Sequence, residues 1–459
     1  VVRVRLFDTR SQTLKELPAH DREVRIYACG PTVYDRIHLG NARPYVVFMV
    51  LKRTLEAVGY KAQLAINITD INDKIYAAAK RRGIPSTALA AQMADHYIAD
   101  TDRLGLGRPD HEPRASAYLA EIISYISALL ERGHAYVVPY TVGGVKTADV
   151  YFRVRSDPAY GSLSHRSLAE MDQGEGVEGA DRKEDPLDFA LWKGRKPDED
   201  TAWDSPWGPG RPGWHIECST MAEATLGGPI DLHGGGIDLL FPHHENEGAQ
   251  ARCARGRELA AIWMHNGMVQ ATGEKMAKSV GNIAPLHSVV ERFGRKATVL
   301  FLLSAHYRQP VAFSEEALQA AQSRARRLEE AVRGVAADRP LPPTVGDLKG
   351  RVLAALCEDF NTPKALGELF SAVRELNRLR AAGERVGGRE LYELLDLLGL
   401  GGVEQPAQVG EEALALLRER EAARARRDFA TADRLREELR RLGWEVRDTA
   451  SGPELVPAS

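Results

Sequence analysis

Cysteine is scarce in this chain: four residues, Cys29, Cys218, Cys253 and Cys357, among 459. With no apolar N-terminal segment behind a basic start, that scarcity argues against a disulfide framework and predicts an unexported, cytoplasmic protein with reduced thiols. Long apolar runs are missing too, so no membrane-spanning helix is expected. Neither sign of charge dominates, since 61 Lys and Arg stand against 64 Asp and Glu for a net −3. Any nucleic-acid surface must therefore be a local patch. Aromatics are modest at 7%, while 44% hydrophobic and 27% charged residues are ordinary for a globular protein and exclude disorder. The length suits about two to four domains.

Glycine and proline are plentiful, and they punctuate the chain. Val24-Arg25-Ile26-Tyr27-Ala28-Cys29 reads as a buried strand that ends in the turn Gly30-Pro31-Thr32. A helical pattern runs from about residue 38 to 57, with Gly59 as its stop, and residues 61–68 place Leu64, Ile66 and Ile68 on one strand face. Strand, helix and strand in that order make a βαβ unit and point to a parallel sheet. Helical periodicity also covers 88–104 and 115–131. From 133 to 209 the texture changes to short strand-like runs (135–139, 149–154) and an acidic, glycine-rich stretch at 171–185, as expected of an insertion. Strand character returns at 229–233 and 261–269. Beyond residue 313 the pattern is helical (314–337, 348–357, 363–382, 389–398, 411–442), with linkers at 338–345 and 399–409.

Three segments carry chemistry. Gly234-Gly235-Gly236-Ile237-Asp238 leads into Pro242-His243-His244-Glu245-Asn246-Glu247, where a helix would set His243 and Glu247 on one face. An imidazole and a carboxylate so placed suit one metal ion, and Cys29 and Cys218 are thiols that would complete a mixed zinc site. Pro31-Thr32-Val33-Tyr34-Asp35-Arg36-Ile37-His38-Leu39-Gly40-Asn41 sits where a strand end meets a helix N-terminus, a natural phosphate position. On its own this segment fits an ordinary helix start capped by His38 equally well. Gly273-Glu274-Lys275-Met276-Ala277-Lys278-Ser279 carries two lysines that would neutralise a polyphosphate, although for an isolated pair a solvated loop is the commoner explanation.

His38-Leu39-Gly40-Asn41 and Lys275-Met276-Ala277-Lys278-Ser279 resemble the two signatures of class I aminoacyl-tRNA synthetases, in the same order. Tyr27-Ala28-Cys29-Gly30-Pro31-Thr32-Val33-Tyr34-Asp35, Ile68-Thr69-Asp70-Ile71-Asn72-Asp73-Lys74-Ile75, Gly210-Arg211-Pro212-Gly213-Trp214-His215-Ile216-Glu217-Cys218-Ser219 and the His243 to Glu247 segment resemble the cysteinyl-tRNA synthetase family. The likeness extends to Asp428-Phe429-Ala430-Thr431-Ala432-Asp433 in the last helices. It implies one zinc ion held by Cys29, Cys218, His243 and Glu247 that selects the substrate thiol, though a closed site that only holds the fold needs the same four ligands. It further implies an amino-acid pocket at Thr69, Trp214 and His233. Gly40, Gly236, Asp238, Met268 and Val269 would take ribose and adenine, and His38, Asn41, Lys275 and Lys278 the phosphates. Two departures stand out: Asn41 replaces the usual His, and Ala277 the usual Ser. His244 and Glu245 are expected to point away from the metal, and Cys253 and Cys357 to be small buried hydrophobes.

The resemblance thus implies an α/β fold, a doubly wound parallel (Rossmann-type) catalytic domain with an insertion, followed by an all-α C-terminal bundle. The expected divisions are 1–132 and 210–270 for the two catalytic halves, 133–209 for the insertion, 271–312 for the lysine-loop domain, 313–400 for a helical bundle and 401–459 for anticodon recognition. The implied partners are L-cysteine, ATP with Mg²⁺, and tRNA(Cys), for a monomer with no membrane contact. The arginine-rich C-terminal helices would meet RNA phosphates. Three rival readings remain: a cysteine ligase that passes the amino acid to an amino sugar (the mycothiol pathway), a zinc hydrolase, and a non-catalytic RNA-binding relative.

Overall fold

The structure is a computed structural model that describes residues 2–18, 21–171, 180–271, 284–402, 411–449 and 452–457. It divides into two compact units: Val1–Ala325 with Lys349–Glu368 and Leu397–Leu400, and Arg326–Leu348 with Leu369–Asp396 and Gly401–Ser459. Among the described residues, no helix is long and apolar enough to cross a membrane.

The first unit is organised by four parallel strands in the spatial order Ala260–Asn266, Ile230–Gly236, Glu23–Ala28, Lys61–Ile66. The helix Leu39–Ala57 connects the last two and is buried along most of its length. Strand order reverses beside Glu23–Ala28, and in open α/β sheets such a reversal leaves a crevice at the carboxyl ends of the strands. Here the crevice edge is the pairing of Tyr27 with His233 and Ala28 with Gly234. The amide of Cys29 extends it by donating to the Gly234 carbonyl at 2.9 Å. The doubly wound sheet expected from the βαβ pattern is therefore present.

The segment between the sheet halves folds as four antiparallel strands, Ala135–Val142, Val145–Phe152, Phe189–Gly194 and Gly210–Pro212. Its inner face supplies Phe152, Phe189, Leu191 and Trp192 to a core shared with Ile122, Tyr125, Ile216 and Ala249. Each such fully buried large side chain stabilises by about 1.5–3 kcal/mol. This core grips the helices Trp214–Leu226 and Glu245–Arg255, which end at Gly227 (φ 73°) and Gly256 (φ 69°) in left-handed geometry. Both helices are buried on nearly every side, so their polar residues must bond within the protein.

In the second unit residues 411–442 form two helices, Glu411–Ala425 and Phe429–Arg441, rather than the single one expected. Arg427 takes a positive φ of 60°, and the Asp428 carboxylate accepts from the Thr431 amide at 3.1 Å to start the second helix. A hairpin of Trp444–Thr449 and Gly452–Pro457 follows, with Trp444 packed on Ala413 and Leu439. The helical pattern had concealed it because the strands are short and follow a continuous run of helix formers.

The turn after the strand Glu23–Ala28 admits no side chain at Gly30. A Cβ on Gly30 would lie 1.8 Å from the Asn67 carbonyl oxygen, and the Gly30 amide donates to Asn67 Oδ1 at 2.9 Å. Gly30→Ala is expected to destabilise the protein by about 2–3 kcal/mol, read as a lower urea midpoint. An unchanged midpoint would contradict the close approach.

Candidate metal centre and adjoining pocket

Four elements converge behind the crevice. Cys29 follows the strand Glu23–Ala28, Cys218 lies on Trp214–Leu226, and Glu247 is in the first turn of Glu245–Arg255. His243 comes from Leu240–His244, where the chain kinks between two helical stretches at Phe241, which is extended (φ −138°, ψ 132°). Phe241 is the one residue of this stretch outside helical geometry, so the helical run that carries His243 and Glu247 starts at Pro242, as expected, and continues as Glu245–Arg255. The ligand atoms of Cys29, Cys218, His243 and Glu247 all lie within 4.8 Å of one another. Glu247 Oε1 is 3.1 Å from His243 Nε2 and 3.5 Å from Cys29 Sγ. A tetrahedral zinc ion with ordinary bond lengths would set its donors about 3.3–3.8 Å apart, so the donor set fits one ion.

Electrostatics support the fit. All four residues are buried, and a buried carboxylate beside two thiols is costly unless a cation joins them. Burial pushes the Cys29 thiol well above its ordinary range, and the neighbouring Cys218 and Glu247 add to the shift. Burial also drives His243 down to about 3, against the opposing pull of Glu247. Its imidazole is therefore neutral, with a lone pair free for a metal.

A further ring of histidines surrounds these donors. His215 Nδ1 lies 3.0 Å from His243 Nδ1, which leaves His243 Nε2 for the metal side. Trp214 stacks on His243, with ring centroids 4.2 Å apart. His233 Nε2 is 2.9 Å from the second oxygen of Glu247. His244 does not point away as expected: its Nε2 is 3.3 Å from Cys29 Sγ, so the successive residues His243 and His244 both reach the donor group. From His244 Nδ1 the contacts continue to His265 Nε2 at 2.8 Å and from His265 Nδ1 to Thr9 Oγ1 at 2.7 Å. Burial lowers His215 and His265 to about 3 as well. Glu245 does face away, accepting from the amides of Gly161, Leu163 and Ser164 at 2.7–3.1 Å.

A cavity of about 300 Å³ opens in front of the cluster. Cys29 and Trp214 reach it, as do His38, Gly40 and Asn41 at the start of Leu39–Ala57, and Gly236, Asp238 and Met268. His38 and Asn41 form a reciprocal cap: the Asn41 amide donates to His38 Nδ1 at 3.3 Å, and the His38 amide to Asn41 Oδ1 at 3.2 Å. Among the described residues, His38 Nε2 and the Asn41 side-chain Nδ2 have no hydrogen-bond partner. Burial lowers the His38 pKa, with Asp238 opposing, so the ring is neutral at pH 7 and acts by hydrogen bonding. A Cβ on Gly236 would meet Asp238 Oδ1 at 2.2 Å, so a side chain there would displace the Asp238 carboxylate. Thr69, His233 and Val269 are buried and do not line the cavity. Lys275 and Lys278 lie outside the described residues.

Sequence reasoning missed His215, His265, Thr9 and Arg43. His215 had a signal, three residues before Cys218 on the same helix. The others had none, because they are distant in sequence from what they touch. Arg43 is fully buried and donates to the carbonyls of Gly267, Gln309 and His306 at 2.5, 2.7 and 3.1 Å. It ties the helix that starts at His38 to the backbone beside Met268. A larger cavity of about 760 Å³ lies on the insertion sheet around Tyr140 and Tyr151. Much of its charge is paired, Arg182 with Asp149 and Lys193 with Asp73, each at 2.9 Å.

Residues 15–323 match the family described as tRNA synthetases class I (C) catalytic domain. A cysteine–tRNA ligase of Halorhodospira halophila is 45% identical over 447 residues, covering 95% of each chain. The chain belongs to the class I cysteinyl-tRNA synthetase family. Another relative, the cysteine–tRNA ligase of Caldicellulosiruptor saccharolyticus, is 40% identical over 98% of this chain and 99% of its own. Residues 351–400 match the DALR domain and 407–452 the cysteinyl-tRNA ligase anticodon binding domain. The fold is shared more widely: Mycobacterium tuberculosis methionyl-tRNA synthetase in complex with methionyl-adenylate superposes with a TM-score of 0.60 at 17% identity, over 82% of this chain and 90% of that one.

Within this family member, Glu245 holds the insertion onto the metal-site helix. Glu245→Ala would strip three buried amides of their acceptor and is expected to cost about 3 kcal/mol. Hydrogen exchange at Gly161, Leu163 and Ser164 should accelerate; unchanged exchange would refute the anchoring role.

Proposed function

We propose that this chain, as a cytoplasmic monomer, attaches L-cysteine to the 3′ end of tRNA(Cys) at the expense of ATP. The observation that carries the reading is the placement of four buried donor atoms within 4.8 Å of one another, with Cys29 also reaching a cavity walled by His38, Asn41 and Asp238. Cys29, Cys218, His243 and Glu247 would hold one zinc ion. When bound, zinc supplies a thiophilic Lewis acid that takes a thiolate in preference to a hydroxyl. Cysteine and serine differ by one atom, too little for an ordinary pocket to separate strongly.

The cavity walls then divide the work. Trp214 lies against the amino acid, with Thr69 and His233 behind it as supports. The cysteine carboxylate attacks the α-phosphate of ATP, forming cysteinyl-adenylate as pyrophosphate leaves with its Mg²⁺. Neutral His38 donates through Nε2–H to a phosphate oxygen, and the Asn41 amide takes the place of the usual second imidazole. Lys275 and Lys278 neutralise the charge that moves onto the leaving group. Gly40 and Gly236 give the nucleotide close approach to the backbone, Asp238 takes the ribose, and Met268 offers main-chain groups to adenine with Val269 buried behind it. A hydroxyl of the terminal adenosine then attacks the activated carbonyl and AMP leaves. No side-chain nucleophile is required, so acceleration comes from positioning and charge stabilisation.

The two catalytic halves would be 1–132 and 210–270 around the insertion 133–209, with 271–312 carrying the lysines, 313–400 the helical bundle and 401–459 the anticodon reader. The anticodon-domain match at residues 407–452 favours a tRNA acceptor over an amino sugar, and His38 and Asn41 in the cavity favour an enzyme over an inert binder.

Lys278→Ala should slow cysteine-dependent ATP–pyrophosphate exchange by about 10²–10³-fold with little change in cysteine affinity; equal losses in both would remove its phosphate role. Cys218→Ser should release zinc, measured by metal analysis, and erase the preference for cysteine over serine in exchange. Discrimination that survives zinc loss would show that the metal only supports the fold.

A further inference from the structure

We propose that Tyr34 and Lys74 form the seat of the acceptor's unstacked terminal nucleotide, its base lying on the Tyr34 ring and its phosphate on Lys74. The inference rests on a tRNA acceptor and assigns it a place that the activation chemistry leaves open. Both residues line the cavity in front of the metal cluster. Tyr34 is 37% exposed, the one exposed aromatic ring of the first unit among the described residues. Lys74 is exposed in the first turn of the helix Asp73–Arg82, its Nζ 5.6 Å from the Tyr34 ring centroid.

The ring stands on a braced turn. The Val33 amide donates to the Thr69 carbonyl and the Tyr34 amide to the Thr32 carbonyl, both at 3.1 Å. On its other side Asp35 pairs with Arg82 at 3.0 Å, and Arg36 pairs with the buried Asp100. The acids nearby are already engaged. Asp35 is taken by Arg82, Asp70 by the Ser116 amide and hydroxyl at 2.9 and 2.5 Å, and Asp73 by Lys193 at 2.9 Å and by Arg211. Among the described residues Lys74 has no acidic partner. An uncompensated cation beside an exposed aromatic face is the pairing that receives unstacked nucleotides: the ring takes any base and the cation its phosphate.

ATP does not need this pair. Its ribose and adenine face Gly236, Asp238 and Met268, its phosphates face His38 and Asn41, and the substrate thiol goes to the floor at Cys29. What remains is the nucleotide that must enter from outside and bring a hydroxyl to the activated carbonyl.

The test separates activation from transfer in the full-length enzyme. Tyr34→Ala, Tyr34→Phe and Lys74→Ala are compared in cysteine-dependent ATP–pyrophosphate exchange and in single-turnover transfer from preformed adenylate to tRNA. We expect exchange within about twofold of the parent for all three. Transfer should fall by roughly 5- to 100-fold in Tyr34→Ala and recover in Tyr34→Phe. Lys74→Ala should weaken tRNA binding and flatten its salt dependence. Exchange and transfer falling together would overturn the seat and move the pair to activation. Transfer unchanged in both alanine variants would overturn it outright. A parent enzyme that exchanges pyrophosphate but charges no tRNA would instead refute the tRNA reading itself, and this inference with it.

Discussion

Everything around the centre of this protein follows from one constraint: two thiols, an imidazole and a carboxylate are packed together away from water. Such a set is unfavourable by itself, because the groups must stay protonated or leave a charge unpaired in a poor dielectric. A divalent cation removes the conflict. The surrounding structure supplies what such an ion needs, since His215 and His233 orient the ligands and His244 reaches the Cys29 sulfur. The antiparallel insertion contributes as well. Its apolar face packs on Ile216 and Ala249, within the two helices that carry Cys218 and Glu247, and Glu245 pins residues 161–164 to the second of them.

The sheet decides where that centre opens. Reversal of strand order beside Glu23–Ala28 leaves the crevice at the carboxyl ends, and Cys29 is the first residue past one of them. The same crevice receives the N-terminus of Leu39–Ala57, which brings His38 and Asn41 to a cavity that Cys29 also lines. That Cys29 and the pair His38 and Asn41 reach one pocket follows from topology, because all three sit on the βαβ unit. Arg43 reinforces the arrangement from behind, a buried cation held by three carbonyl oxygens instead of a carboxylate.

Much of this was legible in the sequence where the signal was local. The spacing of His243 and Glu247 held because both lie, four residues apart, on the helical run that follows the extended Phe241. The βαβ unit was legible because its strands and its helix carry different hydrophobic periods. His244 was misplaced because the sulfur it meets, on Cys29, is 215 residues away in the chain, and no local pattern encodes that contact. Thr9 and His265, some 256 residues apart, meet only because the strand Arg5–Asp8 packs beside the edge strand Ala260–Asn266. The C-terminal hairpin stayed hidden behind the helix-forming residues that precede it.

The central claim is that the buried donors hold a zinc ion whose remaining affinity is for the substrate's sulfur. Zinc K-edge X-ray absorption on the purified protein, alone and with L-cysteine or L-serine, tests it directly. The account predicts two protein sulfurs at about 2.3 Å, a third on adding L-cysteine, and no change with L-serine. A spectrum that L-cysteine leaves unaltered would contradict it and reduce the metal to a structural support.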